Sequence, residues 1–156
     1  MDLKKLSLGA RIMSLASLLL LFDLLFLPWH RISLGIAGLG SSTVSRSGIQ
    51  SPNGFLGLLA ALVVVAIVAR FVLSEFTTVE LPTLPVSWQR ADLLAGAAVG
   101  ALVVLKLVLE TSYLSIGAWL AIPLAGAVLY GGYQRSREST PKPDASPANW
   151  PEPSAF

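Results

Sequence analysis

Three ionisable side chains lie within or next to long apolar stretches of the sequence, where charged groups are unusual. Asp23 lies in the first apolar stretch, Lys106 lies in the third, and Glu110 follows Lys106 by one helical turn. A lone charge at the centre of a bilayer costs about 2.5–3.5 kcal/mol on insertion scales. We therefore expect Asp23 and Lys106 to lie at similar depth, to face inward and to pair, with Glu110 sharing the lysine.

This intramembrane charge pair has a functional and a structural interpretation. The functional interpretation is a proton or ion relay, or a pocket for an anionic ligand. The structural interpretation is a salt bridge between helices that fixes their packing. Transport paths carry more polar positions than the apolar stretches offer here, which favours the structural interpretation.

The remaining residue types offer no catalytic set. The chain has no cysteine and one histidine, His30, so disulfides, thiol catalysis and thiolate metal sites are excluded. The serines are not accompanied by a base and a residue that orients it. We predict a non-enzymatic protein with no catalytic residue, no metal and no cofactor.

The composition indicates an integral membrane protein with an all-α fold. Hydrophobic residues make up 54% of the 156 residues and charged residues 13%, against about 25% charged in an average globular domain. The mean hydropathy is +0.70. We predict an antiparallel four-helix transmembrane bundle in residues 1–133, with spans at about 12–28, 54–73, 92–109 and 113–131.

The first apolar stretch follows a basic start that contains Lys4 and Lys5, as a secretory signal peptide does. Asp23 interrupts the stretch, however, and no clean Ala-X-Ala cleavage site follows it. We therefore expect this segment to be retained as a membrane span.

Basic residues predict the orientation in the membrane. Four spans place both termini on one side, and the positive-inside rule assigns the more basic side to the cytoplasm. The opposite side carries Arg31 and Arg46, whereas the side of the termini carries eight basic residues: Lys4, Lys5, Arg11, Arg70, Arg90, Arg135, Arg137 and Lys142. We predict a multi-pass plasma membrane protein with both termini in the cytoplasm.

The segments outside the spans divide into a loop and a tail. The loop at about 29–53 begins with alternating apolar residues and then turns through Gly38-Leu39-Gly40. It either forms a β-hairpin on the outer mouth of the helices or lacks regular structure. Residues 134–156 contain five prolines and are predicted to form a disordered cytoplasmic tail.

Small residues recur at helical spacing in three of the spans, which is typical of helix–helix contact in lipid. We expect contacts within one chain rather than an oligomer seam, through Gly57, Ala61, Gly96, Gly100, Gly117, Ala121 and Ala125. Arg135 and Arg137 follow the last span, and we expect them to contact lipid headgroups.

Four short motifs occur in an order that resembles a known group of proteins: Leu27-Pro28-Trp29, Val104-Leu105-Lys106-Leu107, Gly117-Ala118-Trp119-Leu120 and Gly131-Gly132-Tyr133. Over about 20–133 the chain is similar to the small four-helix membrane proteins common in actinobacteria and related Gram-positive bacteria. The resemblance implies four helices and a polar outer loop, and it implies no activity.

The sequence leaves two functions open. The first is an accessory or scaffolding subunit that acts through its helix faces, outer loop or tail. The alternative is a small transporter or ion-conducting protein that uses the Asp23–Lys106 pair. Expected partners are the lipid bilayer and either another membrane protein or a second copy of the chain, and nucleic acid is not expected.

Overall fold

Four α-helices and one β-hairpin make up the part of the chain that the computed structural model describes, which is residues 7–36, 40–50, 53–76 and 87–138. In chain order the elements are α1 (Leu8–Phe26), β1 (Pro28–Ile36), β2 (Gly40–Ser47), α2 (Gly54–Phe76), α3 (Trp88–Leu109) and α4 (Ile116–Glu138). The predicted four helices are therefore confirmed, and the loop forms the antiparallel hairpin rather than irregular structure.

All four helices are long and apolar enough to cross a membrane. Their 19 to 23 residues correspond to about 29–35 Å at the rise of an α-helix. Large apolar side chains cover their outer surface, with exposed fractions of 69% for Phe26, 67% for Val108 and 65% for Ile116. Soluble monomers rarely expose apolar surface on this scale.

The main helix packing joins α1 to α2 and α4, and α3 to α2 and α4. The start of α1 lies beside the end of α4, where the backbone N–H of Gly9 donates to Glu138 Oε1 at 3.3 Å. We call this the terminal end of the structure. The hairpin lies at the opposite end, the hairpin end.

Small residues bring α4 close to α1 and α3. A Cβ added to Gly131 would lie 2.7 Å from the backbone of Met13, and one added to Gly96 would lie 3.1 Å from Leu129 Cα. These contacts surround a core of aliphatic side chains that the structure buries almost completely: Met13, Leu20, Val64, Val99, Val103, Ala121, Ala125 and Val128.

The hairpin is held by the segment that joins α3 to α4. Trp29 is fully buried, and its backbone oxygen accepts from the N–H of Ser115 at 2.8 Å. The N–H of Arg31 donates to the oxygen of Tyr113 at 3.2 Å. β1 therefore pairs on one side with β2 and on the other with residues 113–115, which closes one of its edges.

Helix α4 continues beyond the predicted end of its span at 131 and takes in residues 134–138, which the sequence placed in the tail. Two contacts hold this last turn. Arg135 pairs with Asp92 of α3, and Glu138 accepts from the start of α1. The tail prediction for residues 139–156, and the predicted sidedness of Lys4, Lys5 and Lys142, lie outside the described residues.

Candidate functional site

Lys106 and Glu110 form a buried ion pair at the hairpin end. Lys106 Nζ lies 3.0 Å from Oε2 and 3.1 Å from Oε1 of Glu110. The two residues are only 1% and 6% exposed. The same ammonium group donates to the backbone oxygen of Asn53 at 3.4 Å, so the lysine also ties the start of α2 to α3.

His30 lies against this ion pair from the hairpin. Its Nε2 lies 3.1 Å from Glu110 Oε2, and the imidazole is buried. Burial lowers the pKa of His30 below its usual 6.5, Glu110 raises it and Lys106 lowers it, with a net decrease. The imidazole is therefore neutral at pH 7, and the carboxylate is balanced by the lysine.

Asp23 makes its contact with a tryptophan. The indole Nε1–H of Trp29 donates to Asp23 Oδ2 at 3.1 Å, and Lys106 Nζ lies 5.7 Å from the centre of the same indole ring. The direct Asp23–Lys106 pair was the expectation. The structure instead joins the two residues through the ring of Trp29, which lies at the start of β1 and contacts both of them.

A second charged cluster lies at the terminal end, about 21 Å from Lys106 at the rise of an α-helix along α3. Asp92 is 3% exposed and pairs with Arg70 of α2. Its Oδ2 lies 2.9 Å from Nη1 of Arg135 in α4. One carboxylate on α3 thus joins three helices.

Aromatic rings line this terminal-end cluster. The Arg70 guanidinium lies 5.0 Å from the Trp88 ring centre and 5.4 Å from that of Phe71. The Arg135 guanidinium lies 4.9 Å from the Phe71 ring. The charges are therefore surrounded by ring faces, which attract cations.

Sequence reasoning missed the terminal-end cluster. Asp92 was used only to mark the start of the third span, and Arg135 was expected at lipid headgroups. The structure directs Arg135 to Asp92, whereas Arg137 is exposed and lies over the Tyr133 ring at 5.7 Å. The sequence did contain a signal for this cluster. Asp92 lies at the start of the third span, Arg70 lies near the end of the second and Arg135 lies near the end of the fourth, all on the same predicted side of the membrane.

The predicted small-residue positions divide into close contacts and one exception. Gly96 packs on α4, and Gly117 packs on the Trp29 ring, 2.8 Å from the position of an added Cβ. Gly57 lies against the carbonyl of Gly48 rather than against a helix. Gly100 faces open space, so of Gly96 and Gly100, four residues apart in α3, only Gly96 lies in a helix contact. The predicted alanines are all buried: Ala61, Ala121 and Ala125.

The core between the two charged clusters is apolar. Ser17 is the one polar side chain that the described residues bury there, and its hydroxyl has no hydrogen-bond partner among them. Those residues also contain no group of three or more histidine or carboxylate side chains that could hold a metal ion. The arrangement can hold helices together at both ends, and it contains no chain of polar groups from one end to the other.

Comparison of the chain with protein-family models, with curated proteins and with solved structures finds no match.

Proposed function

We propose that the four helices span the plasma membrane as an antiparallel bundle with both termini in the cytoplasm. The apolar outer surfaces and the helix lengths support this arrangement. The terminal end carries five arginines among the described residues, namely Arg11, Arg70, Arg90, Arg135 and Arg137. The hairpin end carries Arg31, Arg46 and the buried Lys106, so the positive-inside rule supports the orientation.

Within this membrane setting we propose a non-enzymatic accessory or scaffolding subunit. One observation carries the proposal: the buried charges are joined into two clusters at opposite ends of an apolar core. At the terminal end the ion pairs join α2, α3 and α4, and at the hairpin end Lys106 ties α3 to the start of α2. A transport path instead needs polar groups between the ends. The hairpin, which lies outside the four helices, is then one candidate surface for a partner, and the tail predicted from the sequence is another.

Two buried oxygens on α1 favour a second candidate, a proton- or ion-conducting protein. Asp23 Oδ1 and Ser17 Oγ have no hydrogen-bond partner among the described residues. A buried polar atom without a partner costs free energy, and such atoms cluster at functional sites. Measurement of proton and ion flux in proteoliposomes separates the two candidate functions. A conducting protein should show a flux that Asp23→Asn abolishes, whereas a scaffolding subunit should show no flux.

The membrane arrangement can be tested cleanly because the chain has no cysteine. A membrane-impermeant maleimide is applied to intact spheroplasts that carry either Ser42→Cys in β2 or Ser87→Cys before α3, both exposed. We expect labelling of the first variant in intact cells and of the second only after permeabilisation. The reverse pattern refutes the orientation, and equal labelling of both refutes the span count.

The subunit role is tested by extraction from native membranes in a mild detergent, followed by mass spectrometry. We expect one stoichiometric protein partner, and the matched control is a chain shortened after Glu138. Loss of the partner in the shortened chain assigns the contact to the tail, and retention assigns it to the helices or the hairpin. A chain without a partner that conducts ions in proteoliposomes would overturn the proposal in favour of the second candidate.

Membership of the small actinobacterial four-helix group is also a proposal. Its support is the motif order in the sequence, in which Trp29 and Lys106 prove to lie side by side. A solved structure of a member with a tryptophan ring beside the basic residue of helix 3 would strengthen it.

A further inference from the structure

An open cleft lies where the hairpin meets the α3–α4 connection. Its volume is about 430 Å³, which falls within the range of small-molecule sites. His30 and Glu110 line it from the buried side, and Arg46, Ser112 and Tyr113 line it from the exposed side. The proposed subunit role does not use this cleft.

The walls of the cleft are strained. Two residues other than glycine have a positive φ in the described part of the chain, Asn53 at 45° and Tyr113 at 59°, and both line the cleft. The left-handed region costs a tyrosine free energy, and residues held there concentrate at ligand sites. Both residues are also held by hydrogen bonds at their backbone oxygens, because Asn53 O accepts from Lys106 and Tyr113 O accepts from Arg31.

The polar groups of the cleft are mainly hydrogen-bond donors. Arg46 provides a guanidinium fork, and Thr111, Ser112 and Tyr113 provide exposed hydroxyl groups. Glu110 is the acidic residue of the wall, and Lys106 balances its charge within the protein. Arg46 therefore leaves the wall with a net positive charge, which an anion would complement.

The start of α2 adds to this polarity. Asn53 immediately precedes the first residue of the helix, so the positive end of the helix dipole lies at the cleft wall. A guanidinium fork, three hydroxyl groups and this helix end supply enough donors for several oxygens of one anionic group.

We propose that the cleft binds a phosphate group, with Arg46 as its principal ligand and the hydroxyls of Thr111 and Ser112 as further donors. The phosphate belongs either to a soluble organic phosphate or to the headgroup of an anionic phospholipid at the membrane surface. Both sources present the same chemistry, so the experiment has one arm for each.

The purified full-length protein is tested with two probes. Glycerol phosphate is titrated calorimetrically into the detergent-solubilised protein. In the second arm the protein is placed in phosphatidylcholine nanodiscs with and without phosphatidylglycerol, and retained lipid is counted by native mass spectrometry. The test variant is Arg46→Gln. The control is Arg31→Gln, which removes the same charge from the same hairpin but from outside the cleft.

We expect Arg46→Gln to weaken binding about tenfold or more, because a charged hydrogen-bond partner is lost, and Arg31→Gln to change it less than about twofold. Saturable binding of glycerol phosphate assigns the soluble source, and retention of phosphatidylglycerol alone assigns the lipid source. Absence of saturable binding in both arms overturns the proposal, as does an equal loss in the two variants. Both arginines are exposed, and an unchanged thermal midpoint shows that each variant is folded.

Discussion

Replacement of Asp92 by asparagine tests whether the terminal-end cluster holds the helices together. The amide keeps the shape of the side chain but removes the charge that Arg70 and Arg135 share. Both guanidiniums then remain in a largely buried site without the Asp92 carboxylate, since their side chains are only 12% and 19% exposed.

The expected loss follows from the geometry of the two arginines. Removal of one partner from a buried ion pair costs about 3–5 kcal/mol. Both guanidiniums lie over the Phe71 ring, 5.4 and 4.9 Å from its centre, so they are about 10 Å apart or less, and their repulsion is about 1.6 kcal/mol or more at an effective dielectric constant of 20. Because both side chains reach some solvent, we expect the lower value of about 3 kcal/mol, or a shift of about a hundredfold in the unfolding equilibrium.

The assay is unfolding by sodium dodecyl sulfate in mixed micelles, followed by far-UV circular dichroism and by tryptophan fluorescence. Trp88, whose ring centre lies 5.0 Å from the Arg70 guanidinium, is one of the four tryptophans that contribute to this signal. The control is Arg90→Gln, which changes an exposed charge in the first turn of α3 and is expected to alter the free energy by less than about 0.5 kcal/mol. The double variant Asp92→Asn/Arg70→Gln also removes one of the two guanidinium charges. We expect it to recover part of the lost stability.

A loss below about 1 kcal/mol for Asp92→Asn would contradict this reasoning. It would mean that solvent or lipid headgroups already solvate the charges of Arg70 and Arg135, and that the cluster does not stabilise the packing of the helices. A double variant less stable than Asp92→Asn alone would contradict the assignment of the loss to excess positive charge.

Three further predictions concern the hairpin end and the helix contacts. Lys106→Met should cost about 3–5 kcal/mol by leaving Glu110 buried without its lysine, and adding Glu110→Gln should restore much of that stability; no recovery in detergent unfolding would argue against an ion pair that acts as a unit. Gly131→Ala should cost about 1–3 kcal/mol because its methyl group meets the Met13 backbone, whereas Gly100→Ala, which faces open space, should be neutral or stabilising by up to about 1 kcal/mol; similar values for both would contradict the close contact. Because the folded-state pKa of His30 lies below its usual 6.5, the unfolded chain binds the proton more readily, so its contribution should be constant above about pH 7 and be lost as the pH falls through 6.5; His30→Gln should reduce that acid-side slope, and an unchanged slope would assign it to other groups.

The four helices followed from the sequence because their signals are local, and the hairpin was one of two alternatives that the sequence left open for the loop. Long apolar stretches predict spans, and alternation around a glycine turn predicts paired strands. The start of α3 and the end of α4 lie outside the predicted spans, since a hydropathy pattern stops at the first charges. Arg90 and Arg135 lie within these helices because side-chain contacts and the snorkelling of arginine permit charges at helix ends.

The charged clusters were only partly predictable, because pairing in space depends on packing. The i,i+4 spacing of Lys106 and Glu110 is visible in the sequence, and the pair forms. Whether Asp23 contacts Lys106 or Trp29 depends on the direction of the chain at Pro28. The periodicity of apolar residues does not predict that direction. The partners of Asp92 are Arg70 and Arg135, which lie on two other helices. From the sequence, Arg135 was predicted to contact lipid headgroups instead.

The contact between the first and last helices has a consequence for synthesis of the chain. The inner face of α1, where Met13 meets Gly131, gains that partner only after α4 has been made, roughly 110 residues later. At about 5–20 residues per second this delay lasts about 5–20 seconds. Trp29 likewise gains the hydrogen bond from Ser115 only when the segment before α4 has been made. A chain that ends before α4 would therefore leave this face of α1 without the contact that Gly131 provides.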